Sequence, residues 1–120
     1  MTMEFIGRDN DLISLCSKEL TLLSGQLDSI NIYRRNYILY IDIDVSLLYA
    51  ARNCRITFVD VQEYLFYHTA DRYFYNIERF KFFKSGELFY ISLDPFEEDL
   101  SVDERDQDFV LSRGVEGFFL

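Results

Sequence analysis

The pattern of apolar and polar residues changes its period at Gly25. Before that point, the segment from about Asn10 to Leu23 has apolar residues at three- and four-residue spacing, which places them on one face of a helix. Asn10 is a suitable N-cap, and Gly25 suits the left-handed residue that often follows a helix. The sequence therefore predicts one N-terminal helix, although Thr21 and Ser24 weaken its last turn.

After Gly25, apolar residues alternate with polar ones, as they do in strands that have one wet face. Strands are predicted at Asp28–Ile32, Tyr37–Val45 and Arg55–Phe58, with a turn at Tyr33–Asn36 between the first two. Tyr37–Val45 is the clearest strand. Its positions 39, 41, 43 and 45 face one way, and Tyr40, Asp42 and Asp44 form the wet side.

The alternation breaks at Val59-Asp60-Val61 and resumes through Tyr64–Tyr67. One extra residue reverses the facing of every residue that follows it, so a bulge or bend is predicted at this break.

The second half of the chain predicts a hairpin and a final strand or pair of strands. Asn76–Phe83 and Glu87–Asp94 alternate on either side of Ser85-Gly86, where glycine supplies the positive φ of a tight turn. Ser101–Glu104 matches a capping box and predicts a single helical turn. The last segments are Phe109–Leu111 and Val115–Leu120, with a turn near Arg113-Gly114.

These elements predict an α+β fold that is mainly β. An N-terminal helix is followed by an antiparallel meander of six or seven strands, arranged as a curved sheet or a partly open barrel. The length and the absence of a linker predict that residues 1–120 form a single domain.

The amino-acid composition excludes several classes of protein. Apolar residues make up 49% of the chain and aromatic residues 18%, which is typical of a packed core and excludes a disordered chain. No segment approaches the roughly 20 apolar residues that span a bilayer. The first eleven residues lack the basic start and apolar run of a secretory signal. A cytoplasmic location without membrane association is expected.

Net charge is −9, and much of it is local. Eight of the 21 acidic residues lie between Asp94 and Asp108, where Arg105 is the only base. Such a patch repels phosphate groups and attracts basic surfaces. We therefore expect a basic protein partner and no nucleic acid.

The sequence offers few candidate catalytic or metal-binding residues. His68 is the only histidine, and although Asp71 is near it in sequence, no spacing indicates a catalytic triad. Cys16 and Cys54 are predicted to be two buried free thiols, since they form neither a disulfide framework nor a zinc motif. The acidic segment contains no glycine and lacks the ligand spacing of a calcium loop. We assign no catalytic residue, cofactor or metal.

Aromatic residues are abundant enough that some must stay partly exposed, and tyrosine is favoured at contact surfaces. Several of them crowd the segment from Tyr64 to Tyr75. Together with the acidic segment, they predict a partner-binding surface made of Glu97, Glu98, Asp99, Asp103, Glu104, Tyr67, Tyr73 and Tyr75.

The order of segments resembles the small bacterial immunity-type proteins of polymorphic-toxin systems. The resemblance rests on the N-terminal helix, Leu27–Ile30, the Tyr37–Val45 strand, Arg55–Val61 and Leu88–Pro95. The chain also resembles uncharacterised small bacterial β-rich domains. Binding residues vary among immunity-type proteins, so the resemblance transfers no site residue to this chain.

The leading hypothesis is a non-enzymatic protein-binding module, in one version an immunity-type inhibitor that covers a basic surface on a toxin. Two alternatives remain open. One is a structural homo-oligomer, such as a homodimer, that buries its aromatic and edge-strand surface against its own copy. The other is a small-ligand binder with an aromatic pocket.

Overall fold

The computed structural model describes residues 3–67 and 76–120. The predicted α+β, mainly β class is confirmed, with one short helix and an antiparallel sheet. The elements in chain order are β1 (Glu4–Arg8), α1 (Asp9–Cys16), β2 (Gln26–Arg35), β3 (Ile38–Leu47), β4 (Arg52–Leu65), β5 (Lys81–Ser85), β6 (Leu88–Asp94) and β7 (Gln107–Phe119).

The sheet joins two meanders through its last strand. Its order is β2-β3-β4-β7-β6-β5, so that β7 lies between β4 and β6. The edge of β7 that faces away from β4 is shared, because β6 pairs with its first half and β1 with its last residues. Among the described strands the sheet does not close into a barrel.

Strand β1 precedes the helix and was not predicted. Its local pattern is poor, because Glu4 and Phe5 are exposed and only Gly7 is buried. The strand forms through a distant partner instead, with Glu4 opposite Phe119 and Arg8 opposite Glu116 in β7. A pairing across more than a hundred residues leaves no trace in a local window of sequence.

The predicted helix from Asn10 to Leu23 is wrong at its C-terminal end, since α1 stops at Cys16. Residues 17–25 form turns, and this stretch bonds across the fold to Ile77. Ser24 N–H donates to the Ile77 carbonyl at 2.7 Å, and Ile77 N–H donates to the Gly25 carbonyl at 2.8 Å. The apolar residues that continued the helical period therefore reach the core through turns, as fully buried Leu22 does.

Two predictions near the C-terminus are also wrong. Ser101–Glu104 forms no helical turn. Phe109–Leu111 and Val115–Leu120, predicted as one strand or a pair, belong to one continuous strand, β7, which pairs along its length with β4, and the predicted turn near Arg113-Gly114 does not form. The buried positions switch from even to odd numbers between Ser112 and Val115, and this change of phase looks like a turn in the sequence.

The predicted break at Val59-Asp60-Val61 is confirmed as an irregularity within β4. Phe58 and Val61 are both buried, Asp60 between them has a φ of 57°, and the register with β7 shifts between Val61 and Glu63. The predicted hairpin is also confirmed, with Gly86 at a φ of 62° in the turn between β5 and β6. Its first strand begins at Lys81, five residues later than expected.

The core lies on the face of the sheet that carries α1. Ile41, Ile43 and Val45 of β3 point into it, as predicted, and so does Leu12 of the helix. Cys16 and Cys54 are both free and buried, which confirms that prediction. Burial raises the pKa of each thiol to about 12, so neither is ionised near neutral pH. The opposite face of the sheet is called the outer face below.

Candidate protein-binding surface

The connection between β6 and β7, residues 95–106, lies against the outer face and is called the acidic loop below. The β5–β6 hairpin forms the part of the outer face on which the loop packs. Lys81 pairs with Ser92 and Phe83 with Tyr90, so these side chains share one face, while Phe82 and Ile91 face the core. Lys81 and Tyr90 are nevertheless almost fully buried.

Asp106 fixes the acidic loop to the β5–β6 hairpin. Its buried carboxylate accepts hydrogen bonds from Lys81 Nζ at 3.0 Å and from the Tyr90 hydroxyl at 2.6 Å. It also accepts from the backbone N–H of Phe96 at 2.8 Å and of Asp103 at 3.2 Å. One carboxylate thus joins both ends of the loop to the hairpin.

Lys81 completes the anchor. Its ammonium donates to the Ser101 carbonyl at 2.7 Å and pairs with Asp99 at 3.1 Å as well as with Asp106. Burial alone would lower the pKa of Lys81, but the hydrogen bonds with Asp106 and Asp99 outweigh it and the pKa is raised. Both members of the buried pair are therefore charged at neutral pH.

Burial and hydrogen bonding also set the ionisation of Asp106 and of its donor Tyr90. Burial alone would raise the pKa of Asp106, but hydrogen bonds from Tyr90, the Phe96 amide and Lys81 lower it overall. Burial and the hydrogen bond to Asp106 raise the pKa of Tyr90. The tyrosine thus remains a neutral donor and the aspartate an ionised acceptor.

The outward side of the acidic loop combines acids with large apolar side chains. Glu97, Glu98 and Glu104 are exposed and form no ion pair with any described residue. The apolar side chains among them are Phe96, Leu100 and Val102, exposed by 46%, 78% and 52%.

Arg105 organises part of this surface. Its guanidinium forms a two-bond fork on Asp103 at 2.9 and 2.8 Å and lies 3.7 Å over the Phe96 ring. Hydrogen bonds from the Arg105 side chain and backbone lower the pKa of Asp103 to about 2. The only base of the acidic segment is therefore already paired.

The structure separates the predicted site residues into groups. Glu97, Glu98 and Glu104 point outward, whereas Asp99 is tied to Lys81 and Asp103 to Arg105. Tyr67 is half-exposed, and its N–H donates to Asp108 in β7 at 2.8 Å. Tyr73, Tyr75 and the candidate catalytic residues His68 and Asp71 lie outside the described residues.

Sequence reasoning missed the two residues that fix the loop, Asp106 and Lys81. A signal for the aspartate was present, because Asp106, Asp108, Val110 and Ser112 follow one two-residue period and are all buried. No comparable signal exists for Lys81. Its neighbours in sequence are apolar, and the carboxylate that pairs with it lies 25 residues further along the chain.

A groove of about 500 Å³ lies where the acidic loop meets the sheet. The register explains its floor, since β7 places Leu111 opposite Tyr90 of β6 and opposite Glu63 of β4. The lining residues are Glu63, Tyr90, Val102, Asp103, Glu104, Phe109 and Leu111. The groove therefore has an apolar floor and a rim of three acids, and no base lines it.

A second groove, of about 460 Å³, lies on the outer face near β2, β3 and β4. Several of its polar groups are paired with one another. Asp42 accepts from Thr57 at 2.8 Å and Tyr33 at 3.3 Å, and nearby Arg55 forks onto Asp44 at 2.7 and 3.0 Å. On the predicted wet side of β3, the carboxylates of Asp42 and Asp44 are thus already engaged by neighbouring side chains.

Two further observations bear on function. Within residues 3–67 and 76–120, no group of three or more histidine, cysteine or carboxylate side chains is placed to hold a metal ion. Over the same residues, no helix has the length and apolarity to cross a membrane.

Comparison with known proteins gave no match: no protein-family model, no curated protein and no solved structure is significantly similar to the chain.

Proposed function

We propose that this protein is a non-enzymatic protein-binding module that uses its acidic loop to cover a basic surface on a partner protein. The observation that carries the proposal is the combination of a fixed loop with an unpaired outward face. The Lys81–Asp106 pair holds the loop, while Glu97, Glu98 and Glu104 carry unpaired charge into solvent.

The anchor matters because binding affinity suffers when a loop must be ordered on contact. Asp106 accepts four hydrogen bonds, two of them from the loop's own backbone, so residues 96 and 103 are held in place before any partner arrives. A rigid acidic surface can then steer a basic partner during the encounter.

The exposed apolar side chains supply the second component. Buried large apolar groups carry most of the affinity at protein interfaces, whereas rim charges mainly affect the association rate. Leu100, at 78% exposure, is the most exposed of the apolar side chains in the acidic loop. We assign it the central contact, with Phe96 and Val102 beside it.

In its most specific form the proposal is an immunity-type inhibitor acting in the cytoplasm on a basic toxin. This form draws on the resemblance of the strand and helix order described above. A toxin inhibited in this way must present a basic surface, and an acidic cover matches it in charge.

The test measures partner capture and association rate with matched charge variants. The wild-type protein is immobilised and exposed to lysate of the source cells at low and high salt, and the retained protein is identified and purified. Association is then measured for the triple variant Glu97→Gln, Glu98→Gln, Glu104→Gln. The control is Glu19→Gln, Glu78→Gln, Glu87→Gln, which removes equal charge from exposed positions outside the loop.

We expect the loop variant to associate about tenfold more slowly at low salt and to lose most of its salt dependence, because steering acts through the local field. The control should stay within twofold of wild type. Leu100→Ser should instead speed dissociation. Equal slowing in both triple variants, or a retained protein that is not basic, would contradict the proposal. For the immunity-type form, co-expression must relieve the toxicity of the retained protein.

A further inference from the structure

We infer that the groove between the acidic loop and the sheet receives an arginine side chain of the partner. The inference rests on the proposed function and names the group that the surface recognises. The groove is lined by three acids, Glu63, Asp103 and Glu104, around an apolar floor, and no base is present in the lining.

The floor favours a planar cation. Phe109 and Tyr90 pack ring to ring in this groove with centroids 5.7 Å apart, and Leu111 and Val102 complete the apolar surface. A guanidinium is flat and weakly hydrated, so it stacks on ring faces more readily than a compact ammonium does. The aliphatic stem of arginine suits the apolar wall.

Arginine takes this position against other rings of the chain. Arg105 lies 3.7 Å over the Phe96 ring while it forks onto Asp103, and Arg52 lies 3.5 Å over the Phe119 ring and 3.8 Å from Glu4. Rings beside carboxylates are therefore occupied by arginine elsewhere in this fold. The groove offers the same pair of features with no arginine of the chain in its lining.

Two of the three rim acids are free to accept an incoming cation. Asp103 is engaged by Arg105, whereas Glu63 and Glu104 are exposed and form no ion pair with a described residue. Burial and the hydrogen bond to Asp106 are the main causes of the raised pKa of Tyr90, and the charges of Asp103 and Glu63 add to it, so both carboxylates act on a ring that lines the groove. A guanidinium has enough donors to bridge several acceptors.

The volume is also adequate for a side chain and part of its backbone. Small-ligand sites commonly measure about 300–1,000 Å³, and this groove measures about 500 Å³. Its apolar floor then accommodates a neighbouring apolar residue of the partner. The recognised element is an arginine next to a leucine or a comparable side chain.

To test this, the intact protein is titrated with the peptide acetyl-Leu-Arg-Leu-amide at low salt, and its amide and methyl chemical shifts are followed by NMR. The comparison peptides replace arginine by lysine or by citrulline, which keeps the shape and removes the charge. The protein variants are Glu63→Gln and Glu104→Gln, and the control is Glu87→Gln, an exposed acid outside both the groove and the acidic loop. All three positions are exposed, so the fold is retained.

We expect shifts at Val102, Phe109 and Leu111, and an affinity order of arginine, lysine, citrulline. Each groove variant should weaken arginine-peptide binding about three- to fivefold, as an ion pair worth about 1 kcal/mol implies, while the control stays within twofold. Equal binding of the citrulline peptide, shifts that map elsewhere, or unchanged binding by both groove variants would overturn the inference.

The two proposals fail separately. If the groove variants leave the arginine peptide unaffected but the loop triple variant still slows association with the retained partner, only the arginine site is wrong. If the arginine peptide binds as expected and no basic protein is retained from lysate, the groove assignment stands and the proposed function is wrong.

Discussion

Replacing the buried carboxylate in Asp106→Asn should release the acidic loop and lower the free energy of unfolding. The substitution keeps the shape of the side chain and removes its charge. An amide has one acceptor oxygen and one donor nitrogen, whereas both carboxylate oxygens of Asp106 accept hydrogen bonds, one from Phe96 and the other from Lys81, Tyr90 and Asp103. At least one of these donors must therefore face an NH₂ group.

Most of the expected loss of unfolding free energy comes from Lys81, whose side chain is 1% exposed. Removing one member of a buried ion pair costs about 3–5 kcal/mol, because the remaining charge stays buried without its partner. Lys81 keeps Asp99 and the Ser101 carbonyl, which places the expectation at the low end, about 3 kcal/mol. The matched control Asp103→Asn breaks a more exposed ion pair and should lower the free energy of unfolding clearly less than Asp106→Asn does.

Urea unfolding measures both variants. With a slope of about 2 kcal/mol per molar urea, a loss of 3 kcal/mol moves the midpoint down by about 1.5 M. Hydrogen exchange supplies a local measure, because the Phe96 and Asp103 amides donate to Asp106 and should lose protection in Asp106→Asn alone. If Asp106→Asn costs no more than Asp103→Asn, or if those two amides stay protected, the anchoring argument is refuted.

Three further predictions concern the reactivity of the thiols, the stability at alkaline pH and the backbone strain of one turn. Cys16 and Cys54 should not react with a thiol reagent at pH 8 until urea unfolds the chain, because burial raises the pKa of both; rapid reaction of the native protein would contradict this. The pKa of Tyr90 is raised above 10.0, mainly by burial, so its contribution to stability is complete below pH 10 and is lost as pH rises further. Unfolding measured from pH 9 to 11 should therefore show a shallower decline in Tyr90→Phe than in wild type. Tyr37 has a φ of 67° in an exposed turn, so Tyr37→Gly should raise the free energy of unfolding by about 1 kcal/mol, and Tyr37→Ala, which keeps the backbone strain, should not.

Local features of the fold were predictable, and distant pairings were not. The irregularity at Asp60 and the turn at Gly86 follow from neighbours in sequence, since one interrupts an alternation and the other needs a positive φ. Strand β1 pairs with the edge of β7, and the turns that follow the helix are held by hydrogen bonds of Ser24 and Gly25 with Ile77. Neither partner can be identified from a window of local sequence.

The candidate surface was predicted in outline. The charge run located the acidic segment, and Glu97, Glu98 and Glu104 are exposed there. Composition alone does not separate these outward acids from Asp106, because acids that face solvent and an acid that faces a buried lysine are the same residue types; only the two-residue period that continues from Asp106 into β7 sets Asp106 apart. In the fold, that separation depends on Lys81, which a hairpin 25 residues upstream brings beneath the loop.

The central position of β7 also constrains how the protein is made. A ribosome delivers β2–β4 and then β5–β6 before any of β7 exists, so the facing edges of β4 and β6 lack a neighbour while synthesis proceeds. Open strand edges are templates for pairing between chains, and late long-range pairing folds slowly. Newly made molecules are therefore most exposed to aggregation just before β7 emerges, and a holdase chaperone that covers apolar strands would act in that interval.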